Sequence, residues 1–129
     1  MGSLRTYVVA SLSFLALSGA AAQAASDSPL RGFAVCTGRL SAMMEFQWMF
    51  DGPGSEETQA QRAQMIQLVE AVIEPGQGPT VLNWQINAKS ALSQLLSRTA
   101  FNDDPRDAEW AREQASKLVM DCQQMLIGW

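Results

Sequence analysis

Hydrophobic residues recur along four segments of this chain with the period of an α-helix, and proline and glycine separate the segments. The pattern predicts a first helix from Leu30 to Phe50, a second that starts at the N-cap Ser55 and ends before Pro75, a third that begins near Thr80, and a fourth between the N-cap Asp104 and Gly128. Two glutamates follow Ser55 and a proline follows Asp104, as is typical of helix starts. The chain is therefore predicted to be all-α.

The third segment shows its apolar stripe most plainly. We expect its core face to consist of Val81, Trp84, Ala88, Ala91 and Leu95, flanked by Leu82, Ile86, Leu92 and Leu96. The polar residues of this segment, such as Asn83, Asn87 and Gln94, line the opposite face. A one-sided stripe of this kind is typical of a helix that packs one face against a core.

Four helices joined by short connections pack most simply as an up-down-up-down bundle, in which the first and last helices are antiparallel neighbours. Cys36 lies near the start of the first helix and Cys122 near the end of the last, so the bundle brings them to the same height. The sequence therefore predicts a Cys36–Cys122 disulfide between the first and last helices.

The N-terminus has the composition of a secretory signal peptide. Arg5 precedes an apolar run from Tyr7 to Leu17, and small residues follow up to Ala22-Gln23-Ala24. We expect a signal peptide over residues 1–24, a disordered leader over 25–29 and a single helical domain over 30–129. The apolar run is too short to span a bilayer, so the cleaved protein is expected to be periplasmic or secreted, without a membrane span.

Composition narrows the range of functions. Cleavage would leave 105 residues with a formal net charge of −5, since the signal peptide holds one of the nine basic residues and none of the thirteen acids. An acidic domain is repelled by nucleic acid and by anionic lipid, so neither is an expected partner. The chain has no histidine, which removes Ser-His-Asp and Cys-His catalysis. We therefore predict no catalytic residue, no metal and no cofactor; the protein is not expected to be an enzyme.

The end of the first helix carries more apolar residues than one buried stripe needs. Its apolar positions cover more than half of the circumference: Leu40, Met43, Met44, Phe46, Met49 and Phe50. Trp48 falls outside them, with Ser41 and Glu45, on the face expected to be solvent-exposed. Either the turn Gly52–Gly54 or the leader around Ala25 covers this surplus, or it binds a partner. The candidate partner surface consists of Glu45, Trp48, Met49 and Phe50.

These observations favour a non-enzymatic interaction module of the bacterial envelope, such as an accessory subunit, an inhibitor or an immunity-type protein, with a protein partner on the Trp48 face. The alternative is a binder of small apolar ligands whose core, lined by Trp84, Met65, Met44 and Phe46, opens at one end. An enzyme built on Glu45 ranks third, because the sequence offers no second polar group to act with that carboxylate.

Overall fold

The structure, a computed structural model, describes residues 28–128 and consists there of four α-helices without strands. The helices are α1 (Pro29–Phe50), α2 (Gly52–Val72), α3 (Gly78–Ala100) and α4 (Pro105–Ile127). The predicted four-helix, all-α architecture is confirmed. The predicted signal peptide, residues 25–27 of the predicted leader and Trp129 lie outside the described residues.

Helix caps account for where α1 and α4 begin. The Ser28 hydroxyl accepts a hydrogen bond from the Arg31 amide at 3.3 Å, so Ser28 is the N-cap of α1. Ser28 and Pro29 therefore belong to the helical domain, although the leader was expected to extend through Pro29. Asp104 is the N-cap of α4 as predicted, and its carboxylate accepts from the Arg106 amide at 2.9 Å.

Helix α2 begins three residues before the predicted start. The predicted N-cap Ser55 is wrong, because Asp51 is the N-cap and accepts from the Gly54 amide at 3.1 Å. Pro53 fits the first turn, where an amide N–H would have no partner within the helix. Ser55 is buried one turn later and donates its hydroxyl to the Gly52 carbonyl at 2.5 Å. Asp51 alone thus joins α1 to α2.

Helix α1 is the central helix of the bundle. It packs extensively on α2 and α3 and also contacts α4, whereas α2 and α3 hardly touch each other. Ten residues of α1 are buried, against three or four in each other helix. The chain thus surrounds its first helix with the other three, rather than placing four equal helices at the corners of a square.

Contacts between helices give their relative directions. Arg31 lies against the Trp84 ring at the start of α1 and α3, and Phe50 lies against Phe101 where both helices end. Helices α1 and α3 are therefore parallel. Helix α4 runs antiparallel to α1, because Cys36 near the start of α1 is bonded to Cys122 near the end of α4. These directions agree with an up-down-up-down order.

The predicted disulfide is confirmed. Cys36 and Cys122 are joined with a Cα–Cα distance of 5.3 Å across 86 residues of sequence, and both side chains are buried. The Met125 sulfur lies 3.6 Å from the Cys36 sulfur and covers the bond. The disulfide therefore ties the central helix to the last helix within the core.

Helices α1 and α3 approach each other most closely at Gly38. A methyl carbon placed there would lie far inside the van der Waals contact distance to the Gln85 carbonyl oxygen, and 3.0 Å from its carbonyl carbon. Ala34 and Ala42 lie one turn to either side of Gly38 and are both buried. This stripe of small residues permits backbone-to-backbone contact between the two parallel helices.

The core face of α3 differs from the predicted stripe. Val81, Leu92 and Leu96 are buried, and Trp84 and Leu95 pack partly against the core. Leu82 and Ile86 are instead more than half exposed. Helix α2 packs on α1 and hardly touches α3, so α3 has fewer neighbours than it would have in a square bundle.

We predict that Gly38→Ala destabilises the protein by about 1 to 3 kcal/mol, the range for overpacking, because the Gln85 backbone cannot move aside as a flexible side chain could. Gly128→Ala is the matched control, since its methyl group would meet no atom closer than 3.6 Å. Urea unfolding of both variants measures the effect. Equal stability of the two variants would contradict the close contact of α1 with α3.

Reduction of the Cys36–Cys122 disulfide is expected to lower the free energy of unfolding by about 4 to 5 kcal/mol, because the bond closes a long loop in the unfolded chain. For a domain of this size the thermal midpoint should fall by about 20 °C. Thermal unfolding with and without reductant, with thiols counted by titration, measures this loss. The double variant Cys36→Ala, Cys122→Ala should reproduce it; an unchanged midpoint with two free thiols would contradict it.

Candidate functional site

Four large apolar side chains lie exposed in the last turn of α1 and directly after α3. Trp48 is 59% exposed, Met49 62%, Phe50 58% and Phe101 71%. We call these four residues the end patch. The Phe50 ring lies 6.4 Å from the Phe101 ring and 4.7 Å from the half-buried Phe46 ring, measured between centroids. Phe46 therefore connects the end patch to the core.

The parallel direction of α1 and α3 places Phe50 and Phe101 side by side. Phe50 is the last residue of α1, and Phe101 is the residue directly after α3. Helix α1 ends at Asp51, whose amide donates to the Gln47 carbonyl at 2.7 Å before α2 starts. With a single residue connecting α1 to α2, no loop is long enough to fold back over the last turn of α1.

The face of α1 that carries Trp48 is not the solvent-exposed face expected from the sequence. Ser41 is buried, and its hydroxyl accepts a hydrogen bond from Arg62 of α2 at 2.6 Å. Glu45 pairs with Lys89 of α3 at 2.6 Å, with both side chains partly exposed. Ser41 and Glu45 thus contact α2 and α3, because α1 is surrounded by the other helices. Of the three residues on this face, only Trp48 at the end of α1 is exposed.

Of the predicted partner surface, Trp48, Met49 and Phe50 lie exposed in the last turn of α1, and Glu45 lies one turn earlier, where it lines a small cleft together with Met49. The Glu45 carboxylate is half of an ion pair between helices. The residues Gly52–Gly54, one of the two expected covers, are the first turn of α2, and Trp48 is exposed beside them. The other expected cover, the leader around Ala25, lies outside the described residues.

Phe101 is the member of the end patch that sequence reasoning missed. It follows the last apolar position of α3 and precedes the polar residues Asn102, Asp103 and Asp104, so no helical stripe includes it. The only feature of the sequence that points to Phe101 is that a large aromatic residue stands at the start of a polar connection. This feature does not indicate which helix lies next to it.

The Asp107 carboxylate fixes the connection that carries Phe101. It accepts hydrogen bonds from the Arg98 guanidinium, at 3.1 Å for Nε, and from the Asn102 side-chain amide. The Asn102 side chain in turn accepts from the Asp104 amide at 3.1 Å. The hydrogen bond from Arg98 lowers the pKa of Asp107 and raises that of Arg98. This network holds both ends of the α3–α4 connection next to the end patch.

The residues proposed for a ligand pocket do not share one. Trp84 lines a cleft of about 370 Å³ near the start of α1, and Phe46 lines another of about 160 Å³ toward the opposite end. Met65 is fully buried within the core. In the cleft near Trp84, the side chains of Ser28 and Gln77 accept hydrogen bonds from nearby backbone amides.

Three further observations bear on function. Within residues 28–128, no three acidic or cysteine side chains come together as a set of metal ligands. No helix in this described part of the chain is both long and apolar enough to cross a membrane. No protein-family model, no characterised protein and no solved structure matches this chain.

We predict that Asp107 titrates below its ordinary value in the folded protein and that Arg98→Gln brings its pKa back toward that value, because the hydrogen bond from Arg98 is the largest cause of the shift. A lowered folded pKa stabilises the protein above the ordinary pKa of a carboxyl group. This stabilisation is lost as the pH falls through the lowered value. Carboxyl NMR titration of both proteins measures the shift; identical Asp107 titration curves would contradict it.

Proposed function

We propose that this chain is an exported, non-enzymatic interaction module of the bacterial envelope that binds a protein partner through the end patch. The observation that carries the proposal is that Trp48, Met49, Phe50 and Phe101 are each more than half exposed at the same end of the bundle. An accessory subunit, an inhibitor or an immunity-type protein would each use such a surface.

The chemistry of the end patch supports binding to a protein. Single exposed apolar residues are ordinary on a protein surface, but a contiguous group of large ones typically marks an interface. Tryptophan, phenylalanine and methionine are enriched in the buried centres of protein interfaces. Contact of these apolar side chains with water is unfavourable in free energy, and a partner that covers them removes that contact.

Export is supported by two independent observations. The sequence pattern over residues 1–24 is that of a cleavable signal peptide. The Cys36–Cys122 disulfide is consistent with an oxidising compartment, such as the periplasm or the extracellular space. We propose cleavage near Ala24, which would leave the helical domain free to meet its partner there.

We predict that Trp48→Asp leaves helicity and the thermal midpoint nearly unchanged, because the new charge enters water at a site that is already 59% exposed. The same substitution should abolish recovery of the partner from envelope extract, since a tryptophan at the centre of an interface commonly contributes about 2 kcal/mol or more to binding. Affinity purification with quantitative mass spectrometry, alongside circular dichroism, measures both effects.

Leu82→Asp is the matched control, because Leu82 is equally exposed but lies on the outer side of α3, near its start. It should leave partner recovery intact. A Trp48→Asp protein that loses several kcal/mol of stability would assign Trp48 to the core instead. A stable Trp48→Asp protein that still recovers the same partner would contradict the proposed function.

A further inference from the structure

The rim of the end patch is acidic. Five exposed carboxylates lie in the two connections and the second turn of α2 at this end of the bundle, namely Asp51, Glu56, Glu57, Asp103 and Asp104. Asp51 directly follows Phe50, and Asp103 lies two residues after Phe101. The carboxylates therefore lie at the same end of the bundle as the end patch, and two of them closely follow its phenylalanines in the sequence.

The cations at this end do not neutralise the rim. Arg98 is paired with Asp107, and Arg112 is paired with Glu109. Among the described residues of this end, Arg106 alone is a cation outside an ion pair. The five rim carboxylates lie outside the ion pairs and only one guanidinium of this end does, so the rim is negative at neutral pH. Asp51 and Asp104 also accept hydrogen bonds from backbone amides as helix N-caps.

We propose that the end patch binds a protein segment whose apolar side chains are flanked by lysine or arginine. This rests on the proposed function and adds the chemistry of the partner. Apolar side chains of the segment cover Trp48, Phe50 and Phe101, while its cations lie over the rim. Complementary charge around an apolar centre accelerates association and fixes the orientation of the two proteins.

A second copy of this chain does not fit the same surface. A symmetric dimer through the end patch would place the two acidic rims against each other, because each subunit uses the same surface in such an interface. Like charges in that position disfavour association. The end patch therefore selects a partner different from itself.

Two synthetic amphipathic helical peptides test the proposal. They have identical leucine and tryptophan positions, and one carries lysine and the other glutamate at every polar position. Their affinity for the mature, oxidised protein is measured by fluorescence anisotropy of a label on the peptide. The lysine peptide should bind at least about tenfold more tightly than the glutamate peptide, a difference of about 1.4 kcal/mol. The preference should weaken as salt is raised, because exposed charges are screened.

Charge-reversal variants distinguish the effect of the rim carboxylates on peptide binding from the effect of the protein's net charge. Glu56→Lys with Asp103→Lys changes the rim and should weaken binding of the lysine peptide about tenfold. Glu70→Lys with Glu74→Lys changes the net charge equally, at the far end of α2 and in the connection that follows it, and should have little effect. Circular dichroism and thermal unfolding confirm that both variants are folded.

The outcomes distinguish this proposal from the proposed function. Equal binding of both peptides, or equal effects of the two double variants, would contradict the proposal that the partner carries lysine or arginine. The end patch would then remain a docking surface, provided that Trp48→Asp abolishes binding. Failure of both peptides to bind would also contradict the proposed basic partner. The docking surface itself is tested separately, by whether the partner is recovered with the native protein and lost with Trp48→Asp. If the protein self-associates and Trp48→Asp abolishes this, the occupant of the end patch is a second copy of the chain and the proposed basic partner is wrong.

Discussion

Helices α1 and α3 are in backbone contact at Gly38, and the packing of α2 and α4 is arranged around that pair. Only a residue without a side chain lets the Gln85 carbonyl lie against the α1 backbone. Because these two parallel helices meet so closely, α1 becomes the centre of the bundle, and α2 and α4 pack around it. The burial of ten α1 residues, including polar Thr37 and Ser41, follows from this arrangement.

Polar and covalent links then attach each outer helix to the central one. Arg62 of α2 donates to Ser41, Lys89 of α3 pairs with Glu45, and Cys122 of α4 is bonded to Cys36. The first two links are partly exposed, so each contributes little to stability compared with apolar burial. Their role is to fix the rotation of α1 relative to its neighbours. That rotation keeps Glu45 engaged with α3 and leaves Trp48 exposed.

The end patch is a consequence of the same geometry. Parallel helices finish at the same end of a bundle, so the last residues of α1 meet the first residue after α3. The single-residue connection at Asp51 cannot fold back over Phe50, and the Asp107 network holds the other connection in place. The molecule thus combines a rigid, disulfide-linked frame with an apolar surface that has no cover among the described residues. A rigid frame reduces the entropy lost on binding, which suits an interaction module.

The helical class, the approximate position of each helix and the disulfide could be predicted from the sequence, because these depend on local periodicity, local caps and the single pairing that two cysteines allow. Asp104 could be identified as an N-cap because its partners lie within a turn of the chain. Only the tertiary structure decided that Ser41 is buried, that Leu82 is exposed and that Phe101 joins Phe50. Those outcomes depend on which helix packs against which. That choice follows from the close approach at Gly38, a contact between residues 47 positions apart that no local pattern encodes.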